Sequence, residues 1–209
     1  MKNIRLKNIL SDQEFWLILL FNLALVVTYY LGETSASLVV MLYYIQSLFI
    51  GLQYFVRLLA LGFMYHKIDK KHNRFALPLF FLFHYGFFHV VYFVFLISIV
   101  VKLPGAVDYD AVKLFALALF GNTILSSISD IKKDLVVPKL PIMVMFQPYF
   151  RIVPMHLFIM LAFAVNSIQS LSNAFLFFIV LKSIADLAMH IVVNKTYREQ
   201  RPNATGGWI

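Results

Sequence analysis

The sequence predicts an all-α, polytopic integral membrane bundle of six transmembrane helices, in one domain over residues 1–209. Three observations lead there. The chain is 61% hydrophobic and only 13% charged, with a mean hydropathy of +0.81, whereas a soluble domain carries about 25% charged residues. Its apolar residues gather into six runs, each near the roughly 20 residues that span a bilayer. Its lysines and arginines fall almost entirely on one side of the bundle those runs would make.

The spans are expected near 15–31, 38–64, 76–101, 112–129, 153–171 and 174–193. The first follows a basic start, but its apolar run is longer than the roughly 7–15 residues of a signal peptide, and "LGETSAS" is a poor cleavage site. The second ends in the basic loop that holds His66, His72 and Arg74, and the third opens after it. The fourth ends where Asp130 reaches the surface. The segment "DIKKDLVVPKLPIMVMFQPYFR", 130–151, carries three prolines. It therefore reads as an irregular connection along the membrane interface, or as a lid, instead of a continuous helix. The fifth and sixth spans follow with a short break between them. Gly86 and Gly121 are expected to let helices approach closely. Trp16, Tyr29, Tyr30 and Tyr149 are expected to anchor at the interface.

Lys2, Arg5, Lys7, Lys67, Lys70, Lys71, Arg74, Lys132, Lys133, Lys139, Arg151, Lys195, Arg198 and Arg201 share one side, and only Lys102 and Lys113 lie on the other. This bias puts both termini in the cytoplasm. The excess of positive charge is thus an orientation signal, with membrane lipids as partners and no nucleic acid. The chain has no cysteine, which excludes disulfides, thiolate metal sites and cysteine nucleophiles. Without a GxSxG, Ser126, Ser127 and Ser129 read as backbone-bonded helix serines.

Ionisable groups inside the spans are costly and make the functional candidates. They are Arg57, His84, His89, His156, Lys182, Asp186 and His190. Lys182, Asp186 and His190 form a ladder, successive members about 40° apart on a helix. Gln46, Gln53 and Arg57 form an inward polar stripe on the second span. His84 and His89 stand about 140° apart, so one faces the cluster and the other a neighbouring helix, unless a π-bulge near Gly86 swings them together. Counting about 1.5 Å per residue from the cytoplasmic ends brings His156, His190, Asp186, His84 and Arg57 into one slab of the cytoplasmic half, with Lys182 and His89 deeper.

The segments "YYIQSLFIGLQYFVRLL", "FHYGFFHVVYFVF", "PYFRIVPMHLFIML" and "LKSIADLAMH", in that order, resemble a family of small prokaryotic membrane proteins, the domain-of-unknown-function family 6498. The likeness rests on His84-Tyr85-Gly86, Pro154-Met155-His156, and Lys182 with Asp186 and His190. It covers the second to sixth spans and implies a prokaryotic cytoplasmic membrane, but no activity. The family tends to carry an acid where this chain has Gln46, so a role resting on that acid does not transfer.

Several functional readings follow. His84, His156, Asp186 and His190 could hold a transition metal (zinc, iron or copper), with three imidazoles and one carboxylate as ligands. His89, Lys182, Arg57, Gln46 and Gln53 would then form the surrounding polar network. Two of the histidines could instead ligate haem. The same residues could make a polar network without metal, with Lys182 paired to Asp186. The protein could be a transporter or channel with a polar interior, although the outer half offers only neutral amides such as Asn166 and Gln169. It could also be a structural subunit, as a homo-oligomer or with a partner membrane subunit.

Overall fold

The computed structural model describes residues 13–32, 35–68, 73–101, 108–136, 139–164 and 168–200. In the last helix, the side chains of 168–172 and 190–200 lie outside the described set. The described residues form six α-helices and no strand: α1 (Gln13–Tyr30), α2 (Ala36–Ile68), α3 (Ala76–Val100), α4 (Tyr109–Val136), α5 (Pro141–Ala164) and α6 (Ile168–Gln200). Among the described residues four of them, α2 to α5, are long and apolar enough to cross a membrane. α6 mixes its apolar run with Lys182, Asp186 and a basic end.

Local sequence sets the boundaries. After α1 the chain turns at Gly32, whose φ of 75° is one that L side chains rarely adopt. Ser35 caps α2, its hydroxyl accepting from the Leu38 amide at 3.1 Å. Asp108 caps α4, accepting from the amides of Asp110 and Ala111 at 2.9 and 3.1 Å. Both satisfy amides that the first helical turn leaves open.

Several boundaries differ from expectation. α4 does not stop near Asp130 but runs to Val136, and α5 begins at Pro141 instead of near residue 153. The predicted long connection is thus mostly helix, and it carries Arg151 into the interior of α5. Pro141 sits at the first helical position, where its missing N–H costs nothing. Pro148 and Pro154 lie inside α5 and are buried, which apolar surroundings and neighbouring helices can tolerate. α5 then ends at Ala164, short of the predicted residue 171, and α6 begins at Ile168.

α2 is the hub, packing against α3, α4 and α5; α6 lies on α5, and α1 lies on α6. The core runs along α2 through Val40, Tyr43, Tyr54, Leu58 and Leu61 and continues into Phe81, Phe158, Phe175 and Phe178. α4 is the least buried of the four long apolar helices. The close helix approaches are not at Gly86 or Gly121, where an added Cβ meets nothing within 4 Å among the described residues. The close approach is at Gly51, where it would strike the Tyr85 ring, and the turn before α3 approaches Gly62, where it would strike the Arg74 carbonyl.

Candidate functional site

The notch at Gly51 decides how α3 is turned. Its ring contact draws Tyr85 inward, and His89, one turn on, follows onto the same face. His89 is therefore the buried histidine, at 3% exposure, and His84 the exposed one. This reverses the expected assignment of His84 to the inner cluster. His89 Nδ1 lies 2.9 Å from the Tyr85 carbonyl. A carbonyl only accepts, so in the neutral ring Nδ1 carries the proton and Nε2 accepts from the Ser47 hydroxyl at 2.8 Å. The Tyr85 hydroxyl donates to the Ser47 carbonyl at 2.8 Å, and Tyr44 donates to the His89 carbonyl at 3.1 Å. The imidazole is held on both nitrogens.

At the same level α6 presents its ladder. Lys182 and Asp186, one turn apart and both buried, form an ion pair. Lys182 Nζ also donates to Gln46 Oε1 at 3.3 Å and lies 4.7 Å from the centre of the Tyr43 ring, so the ammonium meets a carboxylate, an amide and an aromatic face. A small cavity opens beside it, between α2, α5 and α6, lined by Tyr43, Gln46, Ser47, Arg151, Met155 and Lys182 with Ile50 and Phe178.

A second charged centre lies further along α2. Arg57 is eleven residues beyond Gln46, about 16 Å at 1.5 Å per residue, so this centre stands at a different level from Lys182, which is expected deeper than Arg57. Arg57 and Asp134 are each 1% exposed, and the guanidinium grips the carboxylate through Nε at 2.6 Å and Nη2 at 2.9 Å. Asp130 joins at 3.5 Å from Nη1 and accepts from Gln53 at 3.1 Å. The Tyr54 hydroxyl reaches Gln147 at 3.1 Å. Lys139, between α4 and α5, is buried beside this group, and burial, with the Arg57 charge, pushes its pKa down to about 8. Asp130 is thus a helix-interior partner of Arg57 and not a surface terminus. The sequence reading passed over Asp134 altogether. The signal was there: Asp130 and Asp134 repeat the four-residue spacing of Gln53 and Arg57 on the facing helix.

The expected metal ligands go to different partners. His84 Nδ1 bonds the Tyr149 hydroxyl at 2.7 Å and stacks on Phe80. His156 Nδ1 lies 3.3 Å from the Tyr92 hydroxyl. Both histidines lie on the exposed flank of α3 and α5, and Tyr149 serves that flank as a partner to His84. Asp186 is engaged by Lys182. The side chain of His190 lies outside the described residues. Among the described residues no three His, Cys, Asp or Glu side chains gather as a metal site would need.

The fold and its interior thus define an all-helical bundle with four membrane-length apolar helices and two buried ionic centres. The chain belongs to a family described as a family of unknown function, DUF6498, which matches residues 6–204. No curated protein and no solved structure matches it.

Proposed function

We propose that the protein is an integral membrane protein of six spans with both termini cytoplasmic, and that its polar interior moves a small solute or ion. One observation carries this reading: Lys182, buried and paired with Asp186, lines a cavity between three helices. Burying an ion pair is costly, and replacing one by apolar residues is often neutral or stabilising. Ionisable residues at membrane depth that face a cavity are the usual marks of a solute or ion path. Lys182 and Asp186 can exchange a proton between themselves, which would switch both charges at once and alter what the cavity holds.

The arrangement favours this over a metal centre, because Asp186, His84 and His156 each have another partner. α1 and α6 complete the six spans in this reading, α6 lying on α5 and α1 on α6.

Flux into proteoliposomes tests the function. Purified protein should carry a monovalent ion or its proton equivalent faster than protein-free vesicles, and Lys182→Met should abolish it. Flux no faster than empty vesicles, or unchanged in Lys182→Met, would sink the reading. Topology is tested in the naturally cysteine-free chain. Single cysteines at Thr34, Asp108 and Ser172 should react with an impermeant reagent outside sealed cells, and one at Lys70 should not.

A further inference from the structure

Arg151 is the charge that the rest of the network leaves over. Its side chain is half-buried in α5. Its Nε is fully enclosed with no hydrogen-bond partner among the described residues. The other charged residue lining the cavity is Lys182, so two positive charges face the same space. The nearest acid on these helices, Asp186, is already taken by Lys182. Among the described residues no carboxylate lines the cavity. Its charged and amide groups are donors: the Arg151 fork, the Lys182 ammonium, and the Gln46 amide nitrogen that remains once Oε1 accepts from Lys182.

We propose that this cavity is a binding site for a small monovalent anion, held between Arg151 and Lys182 with Gln46 as a neutral third donor. The proposal deepens the transport reading and rests on it only for the suggestion that the anion moves. Charge sets the valence. Two cations less the Asp186 carboxylate leave one positive charge, which a monoanion neutralises and a dianion overshoots. Size sets the class. About 10 Å³ of the cavity is open to the centre of a water molecule, room for roughly one water. A halide, nitrate or formate fits if the flexible Met155 and Arg151 chains yield slightly, whereas sulfate or a large organic anion does not. The guanidinium plane suits a planar anion, offering it two parallel N–H donors.

Chloride itself is the probe. The full-length protein in lipid nanodiscs should broaden the ³⁵Cl NMR line. Nitrate and formate should reverse the broadening at equal ionic strength; gluconate should not. Arg151→Gln should remove at least nine-tenths of the nitrate-sensitive broadening. Arg151→Lys, which keeps the charge and loses the fork, should retain part of it and serves if the glutamine variant does not fold. No nitrate-sensitive broadening in the wild type, or broadening that persists in folded Arg151→Gln, would overturn the site. The two proposals fail separately. Chloride binding without flux removes transport and leaves the site. Flux that ignores both Arg151→Gln and the competing anions removes the site and leaves transport.

Discussion

Cutting the Arg57–Asp134 link should release α4 from the hub. Both side chains are 1% exposed and meet through two short charge-assisted hydrogen bonds. Asp134→Ala leaves the guanidinium enclosed, with the longer contact to Asp130, at 3.5 Å, still beside it. Breaking one side of a buried pair costs about 3–5 kcal/mol, roughly a hundred- to several-thousandfold in the docking equilibrium at 1.4 kcal/mol per tenfold. α4 is the least buried of the four long apolar helices and packs chiefly on α2, so it has little apolar contact to fall back on. Removing both partners, as in Arg57→Met with Asp134→Leu, replaces the ions by apolar volume and should restore most of the loss. The chain has no cysteine, so a pair at Phe49 and Phe120, whose ring centres lie 6.3 Å apart, reports docking through a short bis-maleimide. The cross-link should form in the parent, fall sharply in Asp134→Ala and return in the double variant. Undiminished cross-linking in Asp134→Ala, or no recovery in the double variant, would refute the view that this pair holds α4.

Other expectations follow from the same contacts. Lys139 should titrate near pH 8 by ¹³C NMR of the methylated lysine, and Asp134→Asn, which removes a carboxylate that holds it up, should lower the midpoint further. Because folding depresses this pKa below the ordinary lysine value of 10.5, the associated stability is complete above that value and is lost as pH falls through about 8; a flat stability profile over that window would count against it. His89→Ala should destabilise the protein in mixed-micelle unfolding by about 2–3 kcal/mol, leaving the Ser47 hydroxyl and Tyr85 carbonyl without their buried partner; His84→Ala should cost under about 1 kcal/mol, and equal costs would contradict the inward turn of His89. Gly51→Ala should cost about 1–3 kcal/mol through the Tyr85 clash and Gly121→Ala nothing measurable; equal tolerance would mean the α2–α3 approach is looser than described. Elemental analysis of the purified protein should find no stoichiometric zinc, iron or copper; one metal per chain, lost in His190→Ala and Asp186→Ala, would restore the metal reading.

The sequence by itself determined the number of helices among the described residues and the shared face of Lys182 and Asp186. These are local properties. Apolar length and charged breaks mark a helix without reference to its neighbours, and two side chains four residues apart meet on any α-helix. The tertiary structure decided the rest of the site. α3 is apolar on nearly every face, so hydropathy holds no record of which side turns inward; the notch at Gly51 sets that rotation, bringing His89 in and leaving His84 out. The proline-rich segment read as a break because isolated prolines oppose helix, yet packed neighbours let α5 continue through Pro148 and Pro154 and carry Arg151 inward. The partners of Arg57 lie more than seventy residues away on α4, and only the docking of two helices brings so distant a carboxylate within 2.6 Å.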